Sequence, residues 1–297
     1  MQSAARSATI PTSPQETLPE ESSGFVRALV ALLFPHLWRG QLAEASRLLA
    51  SGAAPPEGVG AKLDAWLAAP AWEVRNVAVK LIARLRDSAR YVRLLQKLTD
   101  RAEAGIVRRN AAEAIRGLGL STPPARSALL QALSDPYWEV RAEAAIALAA
   151  LFPPAEDLER AILNLLLGPK PQGPQRIRER NFEVRMAAAL ALGHLGLSRQ
   201  AFDVLAALAE DDSWLVRSQA AVGLAHFAAR KPDFLAEASS RIEAVDRLSE
   251  GAVSFFVHRD VLARVLRAVG DGPPALSPEA LRPIYLDPKA GWNKLRS

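Results

Sequence analysis

Apolar and small side chains recur at helical spacing through residues 61–270, and the pattern itself repeats. Five segments align on a Val-Arg pair: Trp72-Glu73-Val74-Arg75, Ile106-Val107-Arg108, Trp138-Glu139-Val140-Arg141, Phe182-Glu183-Val184-Arg185 and Trp214-Leu215-Val216-Arg217. Successive valines lie 33, 33, 44 and 32 residues apart. Each pair opens a helix rich in small residues that ends at an apolar position, at Leu85, Leu118, Leu151, Leu195 and Phe227. In the third copy Val140, Ala144, Ala147, Leu148 and Leu151 share one helical face. A preceding helix is also legible, as in Tyr91–Leu98 and Ala128–Leu133. Asp135-Pro136 and Asp212-Ser213 read as helix-start signals, and Pro70 stands where Pro136 does. Each unit is therefore two antiparallel helices. One such hairpin cannot bury its apolar face alone, whereas stacked neighbours can, so the pattern predicts an all-α stack of hairpins.

The spacing also suits tetratricopeptide and ankyrin arrays, but the Trp, Gly and Tyr pattern of the first and the Thr-Pro-Leu-His of the second are missing. Residues 135–148, Asp-Pro-Tyr-Trp-Glu-Val-Arg-Ala-Glu-Ala-Ala-Ile-Ala-Leu, instead resemble the bacterial HEAT-like repeats named after phycobilisome lyases. The resemblance covers roughly 61–270. It implies a right-handed α-α superhelix, or solenoid, of about five to six HEAT-like helical hairpins. A degenerate sixth copy is placed at His258-Arg259, running to Val269-Gly270. The motif builds the stack and carries little about function.

Residues 1–23 are Ser-, Thr-, Pro- and Glu-rich and are expected to be a disordered tail. Residues 24–60 are expected to form an N-terminal cap of two short helices, Phe25–Phe34 and Gln41–Ser51, followed by a Gly- and Pro-rich loop. The array then spans 61–270, interrupted at 168–180 by an insertion of about eleven residues that explains the 44-residue spacing. Residues 271–297, with five prolines, are expected to be an extended C-terminal tail.

Composition changes this picture little. Apolar residues make up 49% but aromatics only 6%, which suits closely packed helices built on Ala and Leu. There is no cysteine, so disulfides and thiolate chemistry are excluded. No secretory signal is visible, and the apolar stretch Phe25–Phe34 is too short to span a bilayer, so a cytoplasmic protein without membrane insertion is expected. The net charge of +5 is spread over the chain.

Arg75, Arg108, Arg141, Arg185 and Arg217 should recur along one edge of the stack. The resemblance implies that each pairs with an acid in a turn of its own or a neighbouring repeat, and Asp100, Asp135, Asp211 and Asp212 are placed for that. A guanidinium fork also suits a partner's carboxylate, so these arginines are candidate partner contacts as well. The aromatic column Trp72, Trp138, Phe182 and Trp214 is expected to pack between repeats. Lys170, Arg176, Arg178 and Arg180 make the insertion the densest basic run, a candidate docking element for an acidic protein or RNA. Tyr285 and Trp292 make the C-terminal tail a candidate clasp. His194 and His226 hold the same repeat position, without a third ligand in register for a metal. No phosphate loop, nucleophile elbow or His-Glu-x-x-His motif is present. The reading is a non-enzymatic scaffold or adaptor, without cofactor or metal, that binds a protein partner as a subunit of a larger complex. The alternatives are a nucleic-acid-binding protein like the HEAT-like DNA glycosylases and an accessory subunit of a bilin lyase.

Overall fold

The structure is a computed structural model that describes residues 58–169 and 176–248. The expected N-terminal tail, the two cap helices, the sixth copy and the C-terminal tail lie outside the described residues, while Val59 and Gly60, expected at the end of the loop, already belong to the first helix. The described elements are helical: α1 (Val59–Leu67), α2 (Trp72–Arg84), α3 (Tyr91–Thr99), α4 (Gly105–Gly117), α5 (Pro123–Ala132), α6 (Trp138–Leu151), α7 (Glu156–Leu167), α8 (Phe182–Leu195), α9 (Arg199–Leu208), α10 (Trp214–Arg230) and α11 (Leu235–Leu248). Two 3₁₀ turns, Ser88–Arg90 and Pro232–Phe234, complete them. No strand occurs among the described residues. This is the all-α arrangement of helical hairpins that the periodicity predicts.

The chain divides into two compact units, the first ending at Leu94 and the second beginning at Leu95. In the first, α1 packs on α2, and Leu63, Trp66, Val77, Leu81 and Ile82 form its core. Arg90 closes this unit by donating to Asp64 at 3.0 Å and to Asp87.

In the second unit the first helix of each hairpin packs on its own second helix: α5 on α6, α7 on α8, and α9 on α10. The second helices also pack on one another in sequence, α4 with α6, α6 with α8, and α8 with α10. A helix with neighbours on three sides has little surface left for water. Accordingly α6 buries Val140, Ala144, Ala147 and Leu148 as the pattern predicts, but also Ala142, Ala145, Ile146 and Ala149. Leu151, expected on the same face, is only half-buried. Alanine suits such a helix because its short side chain lets two backbones approach.

The closest approach is between α8 and α10. A Cβ on Gly193 would run into the Cα of Gly223, and a Cβ on Gly223 would stand 2.7 Å from the Ala189 carbonyl oxygen. Both glycines are therefore required by space, not by backbone conformation. Nearby, Phe202, Phe227 and Phe234 stack in tilted and edge-on contacts, with centroids 4.9–5.6 Å apart.

Helix starts differ from the sequence expectation at two places. Thr122, Asn181 and Ser198 cap α5, α8 and α9 with their side chains. Asp135 and Asp212, however, do not cap α6 and α10. These helices begin at Trp138 and Trp214, and no side chain at their N-cap residues, Tyr137 and Ser213, caps them. Pro136 thus precedes α6 instead of opening it, and Asp135 has a different partner, described below.

Replacing Gly193 by Ala should lower stability by about 1–3 kcal/mol, because the α8–α10 contact has no room for a methyl group. Gly117→Ala, where an added Cβ meets nothing within 4 Å, should be neutral or stabilising by up to about 1 kcal/mol. Urea midpoints of the two variants test this; equal effects would show that the contact is slack.

Candidate functional site

Each arginine of the repeated Val-Arg pair sits in the first turn of a second helix. Its Nη1 reaches back over the preceding loop. Arg75 donates to the carbonyls of Ala69 and Pro70 at 2.7 and 2.6 Å. Arg141 donates to those of Asp135 and Pro136 at 2.9 and 3.2 Å. Arg217 donates to those of Asp211 and Asp212 at 2.9 and 3.1 Å. Arg185 uses Arg180 at 2.8 Å and, more weakly, Glu179, while Arg108 uses the carbonyl of Glu103.

In Arg108, Arg141 and Arg185 the remaining fork faces the next hairpin. Arg108 grips Asp135 through Nε and Nη2 at 2.8 and 2.9 Å. Arg141 grips Glu179 at 3.1 and 3.0 Å, and Arg185 grips Asp211 at 2.7 and 2.8 Å with Asp212 alongside. Each of these carboxylates in turn accepts the backbone N–H two residues on: Tyr137, Asn181 and Ser213, at 2.8, 3.0 and 2.9 Å. Side chain and backbone alternate along a continuous ladder from Arg108 to Arg217. At its end Arg217 keeps the backbone anchor, but its buried Nε has no hydrogen-bond partner.

The ladder places most of the predicted acids and adds one. Asp135, Asp211 and Asp212 are rungs. Asp100 instead accepts the N–H of Ala102. Glu179, which sequence reasoning passed over inside a basic run, is a rung. The signal was in register, since Glu179 precedes Val184 by five residues, as Asp135 precedes Val140 and Asp211 precedes Val216. The forks of Arg108, Arg141 and Arg185 are thus occupied from within the chain, which departs from their use as open contacts for a partner. The aromatic column opens the second helices, and Trp72 and Trp214 are 42% and 36% exposed, so it packs less deeply than expected.

The insertion leaves α7 through Gly168, whose φ of +83° suits glycine. It returns at residues 176–180, held by the N–H groups of Arg178 and Glu179 on the Leu166 carbonyl at 2.7 and 3.2 Å. Arg176, Arg178 and Arg180 are exposed, while Ile177 and Glu179 between them are half-buried. None of the three exposed guanidiniums makes a hydrogen bond or ion pair with a described residue. Lys170, Tyr285 and Trp292 lie outside the described residues.

Other charged groups are turned inward. Glu143 is buried on α6 with Arg116 at 2.7 Å; burial pushes its carboxyl up, and its Oε2 has no partner. A shallow cleft of about 410 Å³ lies beside Glu159, but that carboxylate is already engaged by Leu197 and by the N–H and hydroxyl of Ser198. His194 and His226 meet at the α8–α10 contact. His226 is pushed down to about 4 by burial, then by His194 and Arg230; His194 is lowered by burial and by Arg230. Arg230 holds the end of α8, donating to the carbonyls of Gly193 and Gly196 at 2.7 and 3.1 Å. No group of three or more potential metal ligands occurs among the described residues.

Hairpins stacked through their second helices and locked loop to loop by such a ladder define an α-solenoid. The chain belongs to the HEAT-repeat family: the family model for HEAT repeats matches residues 60–149 and 174–254. A comparison with curated proteins returns no match. No described helix is long and apolar enough to cross a membrane.

Asp135→Ala should cost about 3–5 kcal/mol, because it strands the buried Arg108 fork and unties the loop N–H. Asp157→Ala, which breaks the exposed pair with Arg126, should cost at most about 1 kcal/mol. Chemical denaturation of both variants checks the contrast.

The histidines predict an acid-sensitive fold. Their folded pKa values lie below the unfolded value near 6.5, so the unfolded chain binds more protons, and stability is full above that pH and falls as pH drops toward 4. Between pH 7 and 5 His226 alone should remove roughly 2 kcal/mol. The loss should shrink by about that amount in His226→Leu, read as the difference between urea titrations at the two pH values. An unchanged loss would show that His226 is not buried neutral.

Proposed function

We infer that the protein is a non-enzymatic scaffold that binds a protein partner, and that the basic insertion is its docking element. One observation carries this reading. The ladder occupies the column arginines Arg108, Arg141 and Arg185, whereas Arg176, Arg178 and Arg180 stand exposed and unengaged beside it. Glu179, the acid that would have neutralised them, is turned inward to Arg141 at 3.0 Å. The repeat therefore supplies a rigid base, and the one interruption of its period supplies the uncompensated charge.

HEAT membership supports the same reading, because stacked hairpins offer extended surfaces that suit macromolecules better than small substrates. Assembly into a larger complex, a cytoplasmic location and a clasp formed by Tyr285 and Trp292 belong to this proposal. The column arginines act in it as the frame.

The test is affinity capture from a cell extract with the full chain and with the variant Arg176→Gln/Arg178→Gln/Arg180→Gln. These side chains touch no ladder group, so the variant should melt like the parent. It should lose the captured protein, while a chain lacking 271–297 should lose it only where the tail contributes. Equal capture by parent and triple variant would overturn the insertion as docking element.

A further inference from the structure

The side of the second helices turned away from the first helices changes character along the chain. At about 100° per residue, the sixth residue after each repeat valine falls on that side. In the first two copies it is Lys80 and Glu113; in the next three it is Ile146, Leu190 and Val222. The second residue after the valine follows the same course, from Asn76 and Arg109 to Ala142, Met186 and Ser218. A contiguous apolar face is uncommon on a surface unless something binds it. This one is covered. Ile146, Leu190 and Val222 are only 1%, 1% and 5% exposed, and Ala142 and Met186 are buried beside them. Leu190 and Val222 form a small cluster of their own, with Ala150 against it. The described elements that pack on α6, α8 and α10 are first helices, one connecting turn and other second helices. A neighbouring second helix shields a flank, not this side.

The burial is that of a single chain, so the cover is a segment of the same chain. The second unit runs from Leu95 to Ser297, whereas the chain before Val59 belongs to the first. Within the second unit, 170–175 and 249–297 lie outside the described residues. Lys170-Pro171-Gln172-Gly173-Pro174-Gln175 offers no large apolar side chain. Residues 249–270 carry the expected sixth copy, whose second helix is due on the far flank of α10. There Ala221 and Ala225 are buried, in the places that Ala189 and Gly193 hold on α8 against α10. What remains is 271–297, with Leu276, Leu281, Ile284, Tyr285, Leu286 and Trp292. Its five prolines have no N–H, so fewer backbone donors need partners when the segment is laid on helices. Its reach is ample. From α10 to α6 is two helix spacings, roughly 20 Å, which about six extended residues cross.

We propose that the C-terminal segment 271–297 lies across the apolar side of α6, α8 and α10, so that this face of the array is occupied by the protein's own tail. The inference is independent of the docking role of the insertion. Tyr285 and Trp292, read above as a clasp, close on the array itself and reach a partner only after the tail is released.

The chain has no cysteine, so a single introduced thiol reports on its own surroundings. Val222→Cys and Ala142→Cys are made separately in the full chain, and labelling by a maleimide is followed at neutral pH. Both should label slowly. Adding Ile284→Asp and Leu286→Asp in the tail should speed both about tenfold or more, and an excess of free peptide 271–297 should slow them again. Val184→Cys, a substitution of similar size at a fully buried position facing the first helices, should stay slow in either background. That control separates uncovering from unfolding, and its acceleration alongside the other two would count against the proposal. Fast labelling with the native tail would show an open face and overturn it. So would slow labelling that the tail changes leave unaltered. Acceleration by Phe25→Asp in place of the tail changes would make the N-terminal segment the occupant and overturn it as well.

Discussion

The fold depends on a guanidinium that has to serve two loops at once. Arg108, Arg141 and Arg185 each tie their own loop through Nη1 and the next hairpin's loop through Nε and Nη2. In Arg108, Arg141 and Arg185 all three nitrogens are engaged. Lysine could not do this, since it offers one point charge where a planar fork is required. The carboxylates are as constrained as the arginines. Asp135 is almost fully buried, and its oxygens meet the Arg108 fork, Arg101 and the Tyr137 N–H. Such a charge is tolerated away from water only because it is paired and hydrogen-bonded on every side. The spacing between hairpins is thereby set by the reach of one side chain.

That spacing explains the composition of the second helices. Held this close, α6, α8 and α10 can carry alanine at most contacts and glycine at the tightest, where Gly193 meets Gly223. The same crowding buries groups that prefer water. His194, His226 and Arg230 are all lowered by desolvation, and Glu143 is raised by it. The joint between α8 and α10 therefore combines the closest helix contact with groups whose protonation opposes burial. It is the place in the described array where packing and charge are least independent.

The ladder also decides what remains for recognition. A charge spent on holding hairpins together presents little to a partner, and most of the column arginines are spent in this way. The insertion escapes because it lengthens the connection between α7 and α8 without changing the register. Its Glu179 still reaches Arg141, 38 residues upstream, where the uninterrupted rungs span 26 and 27. An acidic residue has been drawn into the frame, and the basic residues around it have been left outside. The proposed docking role follows from that separation.

Period and composition determined the hairpins. The helices at Trp138–Leu151 and Phe182–Leu195, the first helices before them, and the insertion between α7 and α8 are legible because helix formation and burial follow local spacing. The pairing of Asp135 and Asp211 with the column was legible from the resemblance. Tertiary structure alone decided the rest. Glu179 reads as one charge in a basic run until the fold brings it against Arg141. Asp135 reads as a helix cap until α6 starts at Trp138 and frees its carboxylate for Arg108. Gly193 and Gly223 are ordinary helical glycines until two backbones meet there. In each case the deciding partner is roughly 26 to 38 residues away in the chain, so no local pattern could name it. Local spacing fixes which helices form; only stacking fixes which charges are left facing water.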